Sequence, residues 1–234
     1  MTRKILYILS IAGLFLSVSL QAQDAQLKNK YEDKIRGARF IPYLNYPGAP
    51  FLNDKFLLGE LEMLDGTTIK NIGLNYGCYR DELIYYNTDI STQIVVDKNS
   101  LKGFSFTDKR GIKRTFRRQS YNGSFKGDCF FEVLSDGDIS LLSYRKVNLE
   151  ASDTYDSKTG MSFQPAYTYF LYAADKGYIP LNMNRSSLLA KFNKQNQKLA
   201  RKTLRKNGII VSDEASFVQA WEVIYENGIL PEFK

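Results

Sequence analysis

Histidine is absent from this chain of 234 residues. That excludes the Ser-His-Asp triad, the Cys-His dyad, His-ligated zinc and the usual general base near neutral pH. There are only two cysteines, Cys78 and Cys129, so zinc and iron–sulfur sites built on four thiolates are excluded as well. Any catalysis would fall to carboxylates, tyrosine or lysine. Proline is scarce at six residues, too few for a long polyproline linker. No P-loop, glycine-rich phosphate loop or dinucleotide fingerprint occurs, and no cofactor or resident metal is implied. After Leu16 no stretch approaches the roughly 20 apolar residues needed to span a bilayer.

What is present fits a folded domain. Hydrophobic residues make up 44% and charged residues 24%, ordinary values for a globular chain. The aromatic fraction of 14% favours strands. Residues 1–22 read as a cleavable signal peptide: Arg3 and Lys4 form a basic start, Ile5 to Leu16 an apolar run, and Ser17 to Ala22 a processing region. Cleavage is expected after Ala22, giving an exported protein, periplasmic or secreted, with no transmembrane span after processing. The other reading of this run is an uncleaved anchor, for which it is short. Export would permit a Cys78–Cys129 disulfide, closing a loop of about 50 residues and worth ~4 kcal/mol in the chain-entropy model. Two buried free thiols are the alternative.

The chain divides into a lead-in segment over 23–54, an antiparallel β domain over 55–183 and a helical pair over 184–234. In the lead-in, a short helix is expected from Gln26 to Arg36. Pro42, Pro47, Gly48 and Pro50 then impose an irregular path, pinned by Tyr43, Tyr46, Phe51 and Phe56. In the β region, Leu58–Leu64 and Thr67–Tyr76 flank Asp65-Gly66, a strong hairpin signal. Leu83–Tyr86, Gln93–Val96, Leu101–Thr107, Lys113–Arg117, Cys129–Leu134 and Ile139–Val147 follow, with turns at Arg110-Gly111 and Asp136-Gly137. A polar excursion, Glu150–Pro165, precedes a last hairpin of Thr168–Ala173 and Tyr178–Leu181 around Lys176-Gly177. About ten strands at this spacing predict a mainly β fold, a barrel or sandwich. In the last segment Leu188, Leu189, Phe192, Leu199 and Leu204 recur at helical period with a stop at Asn207-Gly208. Ser212 is the expected cap of a second helix carrying Phe217, Trp221, Ile224 and Tyr225. Both helices need cover and are expected to pack on the β body.

The positive charge is local. Residues 185–208 hold eight basic side chains and no acid, whereas 213–234 hold five acids and one lysine. Lys191, Lys194, Lys198, Arg201, Lys202 and Arg205 are the candidates for meeting an anionic partner or surface. A plain solvated face, neutralised in part by Glu222 and Glu226, is the competing reading. Nucleic acid is not expected, since no recognised module is visible.

Other constellations carry less. Glu60 and Glu62 share one strand face, and Asp81-Glu82 and Asp136/Asp138 are further carboxylate pairs; such pairs run glycoside hydrolysis when a fold sets them about 5–10 Å apart, but acids beside Asp-Gly turns are usually turn formers. Asp153, Asp156, Ser157 and Thr159-Gly160 are oxygen-rich without the EF-hand spacing. Tyr76, Tyr79 and Tyr85, with Tyr86, are candidate ligand contacts that also suit a core. Tyr85 and Tyr86 point to opposite faces, so at most one lies inside.

Gly59-Glu60 before a strand, Asp65-Gly66, Asn75-Tyr76, Asp81-Glu82-Leu83, Phe104, Asp136-Gly137 and the closing Trp221–Asn227 helix, in that order, resemble a group of exported, uncharacterised proteins of Bacteroidota-type bacteria. The resemblance implies export and a β-rich body with C-terminal helices. It implies no catalytic residue. The functional expectation is a non-enzymatic binding module of the cell envelope, meeting an envelope component or another protein. The alternatives are a carboxylate-dependent glycan-active enzyme and a structural factor that docks through the cationic helix.

Overall fold

A computed structural model describes residues 34–124, 126–152 and 160–233. The expected signal peptide and most of the expected 26–36 helix lie outside the described residues; Ile35 and Arg36 are not helical. The fold is mainly β. Among the described residues, eleven strands form one antiparallel sheet and two more form a separate hairpin.

The strands are β1 (Gly37–Arg39), β2 (Leu57–Met63), β3 (Thr68–Gly77), β4 (Glu82–Asn87), β5 (Thr92–Val96), β6 (Leu101–Thr107), β7 (Lys113–Asn122), β8 (Lys126–Ser135), β9 (Ser140–Tyr144), β10 (Val147–Ala151), β11 (Met161–Pro165), β12 (Thr168–Ala173) and β13 (Gly177–Leu181). The order in the large sheet is β1-β5-β4-β3-β2-β6-β7-β8-β9-β12-β13. The turns follow the sequence signals: Gly66, Gly111 and Gly177 all take the left-handed conformation, which glycine adopts without a Cβ penalty.

One connection determines the shape. β5 and β6 are separated in the sheet by β4, β3 and β2, yet only Asp97 and a 3₁₀ turn, Lys98–Ser100, join them. Four strand spacings measure ~19 Å laterally. The register adds displacement along the strands: Val95 lies level with Ile84 and Asn75, whereas Leu101 lies level with Met63. A link from Val96 to Leu101 reaches ~17 Å at most. The sheet must therefore coil back on itself. Lys34 Nζ, just before β1, meets Thr67 Oγ1 of the β2–β3 turn at 3.3 Å, and Arg118 of β7 donates to Lys98 O at 2.9 Å. The coil does not close, so the sheet is sandwich-like and not the closed barrel that strand count also allowed. Among the described residues its outermost strands are β1, only three residues long, and β13, which carries Pro180. Both are poor templates for further pairing.

The inside of the coil is aromatic. Phe104 stacks on Phe116 at 4.6 Å, Tyr76 meets Phe116 at 5.1 Å and Phe130 meets Phe104 at 5.1 Å. Two expectations are corrected nearby. The run Ile139–Val147 is not one strand, because after Tyr144 the chain leaves the large sheet. The excursion Glu150–Pro165 is not all loop, because Met161–Pro165 pairs with Val147–Ala151 as a hairpin. The lead-in follows its irregular path, with Tyr46 against Phe163 and Phe56 against Tyr86.

Three helices, not two, close the chain: α1 (Arg185–Leu189), α2 (Lys194–Lys206) and α3 (Glu214–Glu226). Asn193 splits the expected first helix because its side chain accepts from Asn196 N–H and starts a new N-terminus. The cap of α3 is Asp213 rather than Ser212, in a reciprocal capping box with Ser216. Both long helices end alike. Gly208 and Gly228 are left-handed, Ile209 N–H reaches Leu204 O, and Ile229 N–H reaches Ile224 O. These are Schellman closures with a buried isoleucine after each glycine. Leu141, Leu171 and Leu181 of the sheet pack with Leu188, Leu204 and Trp221 in one cluster, so the helices cover the β body as expected.

Candidate functional site

α2 contains no acidic residue, and none stands in its first turn. At 100° per residue, Lys194, Lys198, Arg201, Lys202, Arg205 and Lys206 fall within an arc of about 140°. Ala200 and Leu204, on the opposite side, are fully buried against the sheet and α3. All six cations are exposed, and Lys191 just before the helix is half-buried. Among the described residues no ion pair involves any of the seven; the partial neutralisation by Glu222 and Glu226 that belongs to the solvated-face reading is not formed. Arg201 makes only a long contact, 3.4 Å, to Gln197 Oε1.

This arrangement is unfavourable for the helix itself. Lys194 occupies the first helical position, where the macrodipole disfavours a cation. Lys194–Lys198, Lys198–Lys202, Arg201–Arg205 and Lys202–Lys206 are like-charge pairs one turn apart, together opposing the helix by about 1–2 kcal/mol. A bound polyanion would relieve this repulsion. Leu199 is 45% exposed; it lies on the flank of the cationic arc and not on the buried face expected of it.

The carboxylate candidates do not converge. Glu60 and Glu62 lie on the outer face of β2, where Lys113 and Lys70 neutralise Glu60 and Lys102 neutralises Glu62. They line a shallow open trough of about 240 Å³, with Ser105, Thr115 and Arg117. Asp136 is held by both terminal nitrogens of Arg117, whose charge and hydrogen bonds keep its carboxyl below the usual range. Glu82 accepts from Tyr43 Oη at 3.3 Å. Asp81 points inside, 5% exposed, accepting from Tyr76 Oη at 2.6 Å, Lys98 Nζ at 2.8 Å and Phe130 N at 3.3 Å. Burial raises its pKa, against the lowering effect of Lys98, Tyr76 and the Phe130 amide. Every donor around it belongs to the fold, so Asp81 acts as an internal clasp between the β3–β4 turn, β8 and the β5–β6 link.

The tyrosine candidates separate. Tyr76 and Tyr85 are core residues, 0% and 3% exposed, and cannot touch a ligand. Tyr79 is half-buried, packed edge-on against Tyr43 and Phe163 with Lys146 above its ring. Tyr86, on the face opposite Tyr85, is half-buried beside Phe56. Cys78 and Cys129 are buried free thiols and form no disulfide. Each sulfur instead lies against the carbonyl two residues back, Tyr76 O at 4.0 Å and Gly127 O at 3.8 Å. Burial pushes the thiols up to about 12 and about 11.

The oxygen-rich stretch 153–160, apart from Gly160, lies outside the described residues, and among the described residues no three His, Cys, Asp or Glu side chains gather as a metal cluster. No described helix is long and apolar enough to cross a membrane. Sequence reasoning missed one polar network. Arg114 chelates Glu132, Arg145 bridges Glu132 and Glu214, and Tyr169 Oη donates to Glu214 at 2.8 Å. These residues are spread over 100 positions of sequence, and no local pattern marks them. A scan against protein-family models gives no match, and searches of curated proteins and of solved structures each return none.

Proposed function

We propose that the chain is an exported, non-enzymatic binding module of the cell envelope, whose docking face for an anionic partner is the cationic side of α2. The observation that carries this reading is the set of six exposed cations on one arc, with no ion pair among the described residues, on a helix that their mutual repulsion destabilises. Long-range attraction from such a face raises the local concentration of an anionic partner and speeds encounter. The rigid sheet behind α2 fixes its orientation. Glu60 and Glu62, neutralised by lysines in an open trough, give the glycan-active alternative no general acid held apart from a base.

The test is association with the native cell envelope. Reversing charge at Lys194, Lys198 and Arg201 is expected to reduce association at least ten-fold at low salt, and added salt to reduce that of the parent protein. Unchanged association in the reversed variant overturns the proposal.

A further inference from the structure

We infer that the partner of the α2 face is an anionic lipid bilayer, on which the helix lies flat. This inference rests on the proposed docking face and assigns its partner. Charge alone would suit any polyanion; the apolar side chains around the arc favour lipid.

Leu199, 45% exposed, borders the long edge of the cationic arc. One turn back on α2, Asn196 Nδ2 donates to Leu230 O at 3.0 Å. Asn196 lies a further 60° round the helix from Leu199, so that bond sets Leu230, 49% exposed, beyond Leu199 on the side away from the cations. Ile210, 79% exposed, follows the end of the helix, while its neighbour Ile209 is the residue buried by the Schellman closure. Leucine and isoleucine contribute nothing to a bond with a polysaccharide or phosphate chain. Beside cations at a membrane surface, they enter the boundary between headgroups and acyl chains. Lysine and arginine stems reach past Leu199, so their charged ends meet the headgroups first and the leucine at the flank adds apolar contact beside them. The arc is also a broad band: Lys194, Lys198, Arg201 and Arg205 form one row, and Lys202 and Lys206 a second. A plane of charge engages both rows at once. The helix does not insert, because its apolar side is already buried in the protein by Ala200 and Leu204.

The experiment is flotation of the full chain with phosphatidylcholine vesicles containing or lacking phosphatidylglycerol. Binding to the neutral vesicles sets a baseline that absorbs any contribution from the apolar run 5–16. The inference expects binding above that baseline only with phosphatidylglycerol. Lys194→Gln, Lys198→Gln and Arg201→Gln together should lower it about 100-fold, from roughly 1 kcal/mol per cation at an anionic surface. Leu199→Ser should lower it about five-fold through lost apolar contact, with no change in binding to heparin, a soluble polyanion. Circular dichroism of each variant, expected to match the parent, keeps loss of fold separate from loss of binding.

Phosphatidylglycerol vesicles bound no better than neutral ones, with tight heparin binding that needs α2, would overturn the lipid assignment in favour of a polyanion and leave the docking face standing. An equal loss of vesicle and heparin binding on Leu199→Ser also overturns it. If envelope association is likewise indifferent to α2, both proposals fall.

Discussion

Arg145 and Glu214 join the sheet to the last helix. The guanidinium, 2% exposed, donates through both terminal nitrogens to the two carboxylate oxygens of a residue 69 positions further on, in the first turn of α3. Its Nε holds Glu132 on β8, and Tyr167 covers its face at 4.9 Å. Arg145→Met would leave the buried Glu132 with Arg114 alone. It is expected to cost about 3 kcal/mol in urea unfolding, against about 1 kcal/mol for Glu214→Gln, whose side chain is partly in water.

Acid should release the same joint. Burial alone would raise the Glu214 pKa, but Arg145 and Tyr169 outweigh it and hold it below the ordinary glutamate range. Its contribution is therefore complete above that range and is lost as pH falls through the lowered folded value. Asp81 has the opposite sign, since burial raises it. The folded state loses relative stability as pH rises from the ordinary aspartate value through the raised one. The stability of Asp81→Asn minus that of the parent should grow across that interval and then level off. Asparagine tolerates the left-handed backbone at this position, φ +57°. A difference independent of pH would contradict the assignment.

Lys194→Glu should stabilise the protein while weakening envelope association. It places an acid where the macrodipole favours one and turns the Lys194–Lys198 repulsion into an attraction, together worth about 0.5–1 kcal/mol. The check is paired measurement of the urea midpoint and envelope binding. A loss of both would mean that Lys194 serves the fold.

Thiol chemistry offers a separate check. With Cys129 pushed up to about 11 and Cys78 to about 12, both should react at pH 8 roughly 100-fold or more slowly than an ordinary thiol. Unfolding without reductant should release two reactive thiols per chain. None released would reveal a disulfide.

The only tryptophan, Trp221, is fully buried where α3 meets the sheet. Its emission should be blue-shifted and shielded from iodide. Trp221→Ala should cost about 3–5 kcal/mol. Trp221→Phe should cost far less, since the indole N–H has no hydrogen-bond partner to lose.

Local signals were legible where local chemistry decides. Asp65-Gly66 and Lys176-Gly177 turn as read, Leu101–Thr107 and Thr168–Ala173 are strands to the residue, and Asn207-Gly208 ends its helix. Long-range pairing was not. Nothing near Ile139–Val147 says that Val147 will pair with Pro165 and leave Tyr144 on the large sheet. Leu199 fits an apolar stripe only if the helix runs unbroken from Leu188, and Asn193 breaks that phase. At the candidate site, the run of cations was plain in the sequence. Their lack of counter-charges depends on how α2 and α3 pack, which no linear pattern records. Tyr76 and Tyr85 illustrate the same limit, since strand alternation assigns a face without saying which face is wet.

The short link after β5 also bears on how the protein assembles. The β2–β5 meander requires only neighbouring segments, so it can form early, leaving the outer rim of β2 without a partner. Because Leu101 follows Val96 so closely, the segment that satisfies this rim is delivered beside it as soon as the meander coils. Pairing of that rim therefore needs only the next segment of chain and none of β7–β13, and an unpaired rim is the kind of edge that recruits neighbouring chains.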